Sequence, residues 1–263
     1  MTPFLALVRL ELAVLFGSPL AYLTLTGFAG VSALLFLEPL RVYNQLLFAY
    51  ASTNLGGFDT GAIPDSVNLW DTVFFPVMDS LGLTLLAAVP LVGMRSFAED
   101  RARGRDELLL CSGLGPGAIV AAKFAVCAAT VLAMLAVAFV YPAATLERGD
   151  LGSAHLAAVF LALAGLGLGL TALALACSAL TEHQLVAALC AWALGFALWD
   201  FGWAAPLTSE TVARGLQALA LRPRFAALSE GLVSAADLAY FAGLVAVGAA
   251  VARASFDLRR ARA

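Results

Sequence analysis

A chain of 263 residues that is 62% hydrophobic and only 13% charged has too little polar surface for a water-soluble globular domain, which runs nearer half apolar and a quarter charged. Lipid must be the solvent for much of its area, and the length holds about six spans of roughly 20 residues with their connections. The formal net charge of −3 decides little, because in a membrane protein the placement of charge matters more than the sum.

Residues 2–16 are apolar but carry Arg9 and Glu11. This run is too short and too charged to span, and an interfacial amphipathic helix is expected. No charged n-region with a small-residue cleavage site opens the chain, so no cleaved signal peptide is expected. Gly17-Ser18-Pro19 breaks the run. A first span follows at about 20–37 and ends at Glu38-Pro39.

Residues 38–72 read as a long acidic connection, with turn signals at Asn54-Leu55-Gly56-Gly57 and Ile63-Pro64-Asp65. The second span is about 74–95. A compact charged insert comes next, Phe97 to Leu110, stopped by Gly113 and Gly115-Pro116. It sets Arg101, Arg103 and Arg105 among Glu99, Asp100, Asp106 and Glu107, then turns apolar at Leu108, Leu109 and Leu110. Helical spacing stacks Arg103 with Glu99 and Glu107. Such a helix can dock in a groove of a soluble protein. The alternative is a solvated loop whose charges only fix topology.

The third span is about 117–141 and the fourth about 154–179. In the fourth, Gly165 and Gly169 share a helix face and permit close helix approach, within one subunit or between two. Ser178 to Gln184 is a tight polar turn, and the fifth span is about 185–203. Residues 204–235 hold two helical pieces too short to cross, broken at Arg222-Pro223-Arg224. They fit surface helices or a re-entrant hairpin buried in protein. The sixth span is about 237–252, and the tail is basic.

Basic residues set the orientation. With both ends inside, the cytoplasmic face carries Arg9, Arg95, Arg101, Arg103, Arg105, Arg253, Arg259, Arg260 and Arg262. The opposite face carries Arg41, Arg148, Arg214, Arg222 and Arg224. Both termini are therefore expected in the cytoplasm. Lys123, near the start of the third span, is expected to snorkel to the inner headgroups. Trp70, Trp192, Trp199 and Trp203 mostly flank outer boundaries, as belt residues do.

Chemistry is sparse. The one lysine lacks the spacing of a phosphate-cradling G-x-x-x-x-G-K-[ST] loop. His155 and His183 lie in different loops, which argues against a histidine metal site. No G-x-S-x-G elbow or H-E-x-x-H helix occurs. Cys111, Cys127, Cys177 and Cys190 read as small core residues rather than disulfides or metal ligands. No enzyme activity, cofactor or metal is expected in this chain, and no nucleic-acid partner. Asp79 and Asp200, near the outer ends of the second and fifth spans, are either a polar lining near a translocation path or hydrated interface groups.

The order of these features resembles the membrane subunit of ABC-2 type exporters, most closely the gliding-motility-type permease subgroup. Arg9 to Tyr22 (R-L-E-L-x-x-L-F-x-S-P-L-A-Y) is similar to its elbow helix entering the first span. Met94-Arg95, Ala98-Glu99-Asp100 and Gly104-x-x-Glu107-Leu108-Leu109 resemble the segment after the second span. Lys123-Phe124 resembles a G-K-F signature, with Ala122 in place of glycine. Ser178 to Gln184 resembles an S-A-L-T-E-N-Q turn, with His183 in place of asparagine. Phe225 to Phe241 resembles the end of an outer hairpin and the start of the last span.

The resemblance implies one transmembrane domain over 1–263, an all-α polytopic membrane protein. It would have six transmembrane helices, an N-terminal interfacial elbow helix, a cytoplasmic coupling helix and an extracytoplasmic helical hairpin between the fifth and sixth spans. It implies a bacterial inner-membrane half-transporter. Its partners would be a second permease subunit, identical or related, separate ABC ATPase subunits holding ATP and Mg, a periplasmic accessory protein, and membrane lipid. The ATPase contact would fall on Glu99, Arg101, Arg103, Gly104, Glu107, Leu108 and Leu109. Thr181, Glu182, His183 and Gln184 would form a second cytoplasmic loop, and the elbow helix around Arg9 and Glu11 would touch the same partner. The other reading is a non-transporting scaffold, a mechanotransmitter that passes ATPase-driven motion to a periplasmic protein.

Overall fold

In lipid a backbone finds hydrogen-bond partners only within its own helix or a closed barrel, and the long apolar runs of this chain form helices. The computed structural model describes residues 3–55, 68–105, 109, 113–145, 153–200 and 209–260, and among them there is no strand. The helices are α1 (Pro3–Phe16), α2 (Pro19–Leu55), α3 (Phe75–Gly93), α4 (Arg95–Ala102), α5 (Pro116–Ala138) and α6 (Val140–Thr145). They continue with α7 (Ser153–Leu180), α8 (Gln184–Trp199), α9 (Glu210–Leu219), α10 (Leu221–Ser229) and α11 (Ala235–Arg260). Five stretches are long and apolar enough to cross a membrane: 19–52, 70–102, 116–143, 156–180 and 235–260. The chain is a multi-pass, all-α membrane protein among its described residues.

Prolines mark several starts. Pro19 and Pro116 open α2 and α5, where a missing N–H costs nothing. A π-turn, Trp70–Phe74, leads into α3. There the Phe75 N–H reaches back to the Trp70 carbonyl, and the next residue, Pro76, has no N–H to restore the ordinary pitch. Asn68 fixes this start by accepting from the Asp71 N–H at 2.7 Å and donating to the Asp71 carboxylate at 2.8 Å.

Two boundaries differ from the sequence reading. Glu38-Pro39 does not end the second helix, which continues to Leu55. Its 37 residues amount to roughly 55 Å at about 1.5 Å per residue, more than the roughly 30 Å of a hydrocarbon core. Leu40 and Tyr43 pack beyond the proline, and that burial sustains the helix past the break. The break between the two short helices α9 and α10 falls at Ala220, and Arg222-Pro223-Arg224 lies in the first turn of α10, where proline is tolerated.

α7 is the centre. It is apolar all round, as a fully surrounded helix is, and it packs against α3, α4, α5, α8, α10 and α11. Its most extensive contact is with α11, which runs parallel to it. A side-chain carbon added at Gly165 or Gly169 would meet Phe241 or Leu244, and one at Gly248 would meet the Ala172 backbone at 2.7 Å. The glycine face of α7 is thus spent on packing within the subunit. Gly93 of α3 lies just as close to Ala174.

The contacts also sort the elements by end. α1, α4, the turn between α7 and α8, and the last turns of α11 meet at one end, termed proximal. Asp79, Asp200 and Arg222 gather at the other, distal end. α8 has 16 residues, roughly 24 Å, and is short for a crossing. Its end is met by α10: Trp199 lies 5.8 Å from Phe225, and both rings approach Gly82 of α3. Leu221, Phe225 and Leu228 are buried, while α9 buries nothing. The 204–235 stretch thus divides, with α10 entering the bundle and α9 on its surface. Trp199 is buried rather than a belt residue, and Trp192 donates to the Ala87 carbonyl at 2.9 Å.

Candidate functional site

The proximal end is organised around Lys123. Two turns into α5, its ammonium is 1% exposed, so it does not snorkel. The reason is that three acceptors converge on it from two other helices. Nζ lies 2.6 Å from Glu11 Oε1 on α1, 2.5 Å from Asp100 Oδ2 on α4, and 2.7 Å from the Ser96 carbonyl. All three ammonium N–H groups are used. The ring of Phe97, 5.3 Å away, adds a cation–π contact. Burial pushes the Glu11 carboxyl above its ordinary range, and it outweighs the opposing pull of Lys123.

A second layer of charge lies above this one on the same face of α4. Glu99, buried, accepts from Arg95 Nε at 2.7 Å and from Arg103 at 2.8 Å, one helical turn to either side. Arg105 pairs with Asp100 at 2.9 Å. Arg95 also donates to the Ser18 hydroxyl at the bend between α1 and α2. Gly104 ends α4 at φ +67°, in the left-handed region that glycine enters without a Cβ penalty.

The opposite face of α4 is fastened to α7 and α11. Ser178 Oγ accepts from the N–H groups of Phe97 and Ala98 at 3.1 and 3.0 Å, and donates to the Met94 carbonyl at 2.8 Å. One hydroxyl thereby satisfies three backbone groups where α3 passes into α4, since Met94 to Ala98 lie at that junction. Arg101 donates to the Thr181 carbonyl at 3.1 Å and to Ser255 Oγ at 3.2 Å. Ser255 in turn donates to the Ala179 carbonyl at 2.6 Å.

The expected site residues are therefore brought to one end but play different parts. Glu99 and Arg101 face inward and brace α4 rather than present a surface. Glu11 is spent on Lys123. Arg103 and Gly104 are exposed, as are Glu182, His183 and Arg9. Glu182 pairs with Arg259 at 3.2 Å, and Thr181 and Gln184 are half-buried. Leu109 packs partly buried against the core. Asp106, Glu107, Leu108 and Leu110 lie outside the described residues. Asp79 and Asp200 flank Arg222 at 3.6 and 3.9 Å, all three largely solvated at the distal end.

Lys123, Asp100, Ser178 and Ser255 carry more of this arrangement than the sequence reading assigned them. A signal for Lys123 was present: this lysine in one apolar helix and Glu11 in another are both expensive unless paired. No signal announces the Ser178 clamp, whose partners lie eighty residues away in the chain. No family model matches the chain, and no curated protein matches it.

Proposed function

We propose that this chain is the permease subunit of an ABC-2 type exporter, coupling ATP hydrolysis in a separate ATPase subunit to movement of substrate across a bacterial inner membrane. In this reading there are six crossings, with α8 made up to full depth by α10. The proximal end faces the cytoplasm, and two permease subunits pair over two ATPases.

The observation that carries the reading is the fastening of α4. Lys123 and Asp100 tie it to α1 and α5, and Ser178 and Arg101 tie it to α7 and α11. A displacement applied to the segment beyond Gly104 cannot be absorbed by slack in α4, so it reaches four helices. That is what a lever receiving force from an ATPase requires. Arg103, Gly104, Glu107 and Leu108 would touch the ATPase, with the Thr181–Gln184 turn as a second contact. Glu99 and Arg101 would transmit.

The test is co-purification of the full chain with the ATP-binding-cassette protein encoded nearest to it. Glu107→Arg should break the complex and abolish stimulation of ATPase activity. Survival of both unchanged would remove the coupling assignment.

One observation favours the mechanotransmitter as a second reading. The buried hydroxyls of Ser32, Thr130 and Thr171 each donate to a carbonyl of their own helix. They supply no polar stripe through the interior. A reconstituted complex that hydrolyses ATP, holds a periplasmic protein and moves no solute would favour that reading.

A further inference from the structure

A cavity of about 360 Å³ opens at the bend between α1 and α2. Its charged lining is three arginines, Arg95, Arg103 and Arg105, with Glu99 as the single carboxylate. Each guanidinium offers five N–H donors, and the two oxygens of Glu99 cannot occupy them all. The Arg105 Nε is buried and finds no acceptor in the protein. Asp100 pairs with Arg105 from behind the wall and Glu11 balances Lys123, so the cluster keeps an excess of one positive charge, with Arg103 the most exposed of the three guanidinium groups.

Its depth is fixed by the chain. Gly17, Ser18 and Pro19 form its floor, where α1 gives way to the apolar α2. α1 has 14 residues, too few to cross, and we place the bend that follows it, and with it the cavity, at headgroup level.

An apolar groove of about 310 Å³ starts next to it, between α2, α3 and α8. Leu20 and Leu91 line the groove. Leu20 follows Pro19 of the cavity, and Leu91 precedes Arg95 by one turn on the same face. The groove then passes Thr24, Gly27 and Phe28 toward Val31 and Trp192. At Gly27 an added side-chain carbon would meet nothing within 4 Å, so that position faces open space.

From these two adjoining features we infer a site for an acidic phospholipid. Its phosphate lies against Arg95, Arg103 and Arg105, and an acyl chain lies along the α2–α3–α8 groove. Arginines attract a net-negative headgroup more strongly than a zwitterionic choline one. The apolar groove gives an acyl chain, which free phosphate lacks, a surface to cover. The inference does not rest on the exporter reading. It requires only that the bend lies at headgroup depth.

The full-length protein, reconstituted in bilayer discs of phosphatidylcholine and phosphatidylglycerol and released for native mass spectrometry, is expected to retain phosphatidylglycerol preferentially. Arg103→Gln with Arg105→Gln should reduce that preference by roughly thirtyfold, about fivefold for each arginine near a headgroup. Gly27→Phe fills the groove without displacing protein and should lower retention of both lipids while the arginines stay intact. Equal retention of the two lipids by the unaltered protein overturns the inference. So does indifference to both variants. Displacement of the lipid by excess inorganic phosphate, with Gly27→Phe having no effect, would make this a phosphate site and also overturn it.

Discussion

Lys123 is the residue on which the proximal end turns. An isolated buried ammonium is expensive, and its pairing with Glu11 and Asp100 is what makes burial tolerable. Lys123→Met is expected to destabilise the protein by about 3–5 kcal/mol, because it leaves two carboxylates buried with their partner gone. The triple change with Glu11→Gln and Asp100→Asn should recover much of that loss. Unfolding curves in detergent for the single and triple variants check this, and equal losses in both would contradict the pairing.

Glu11 gives a second prediction at the same scale. Its pKa is raised above 4.5 mainly by burial. A carboxyl that binds its proton more tightly when folded adds stability that is full below 4.5 and is lost as pH rises through the raised value. The difference in unfolding free energy between the protein and Glu11→Gln should therefore shrink or change sign across that window. A pH-independent difference would show that α1 does not bury this group.

At the scale of elements, the α7–α11 pair is the most extensive contact and leaves little room for change. Gly248→Leu would drive a side chain into the Ala172 backbone, and overpacking of this kind costs about 1–3 kcal/mol. Gly243→Leu lies on the same helix, where an added carbon meets nothing within 4 Å, and should be nearly neutral. Thermal unfolding of the two variants separates packing from the intrinsic helix preference of leucine over glycine.

The elements were largely legible from apolar periodicity and proline placement, because a membrane leaves helix as the only local answer. The close approach of α7 was legible from Gly165 and Gly169, but its partner was not. α10 was ambiguous because Leu221, Phe225 and Leu228 have the length of a surface helix, and only the gap left by the short α8 draws them inside. The lysine cluster was hidden for a similar reason. Each member is read locally as a charge near an interface, and the pairing exists only once α1, α4 and α5 are brought together.

At the scale of the molecule, the placement of lysine and arginine sets which end faces the cytoplasm. Among the described residues the proximal end holds Arg9, Arg95, Arg101, Arg103, Arg105, Lys123, Arg253, Arg259 and Arg260, and the distal end Arg41, Arg214, Arg222 and Arg224. Several proximal cations are neutralised internally by Glu11, Glu99 and Asp100. The orientation rule nonetheless counts lysine and arginine near the span ends rather than net charge, since carboxylates contribute little. The proximal end should therefore be cytoplasmic.

With Cys111 and Cys190 replaced by alanine, single reporters can be placed at Arg103→Cys, Glu182→Cys and Asp200→Cys. A membrane-impermeant maleimide should label Asp200→Cys on intact cells with an opened outer membrane. It should reach Arg103→Cys and Glu182→Cys only after the inner membrane is breached. Labelling of Arg103→Cys and Glu182→Cys from opposite faces would break the shared end defined by Arg101, Thr181 and Ser255. Labelling of both on intact cells would keep that end but turn the whole bundle over, and a cytoplasmic ATPase could not reach it.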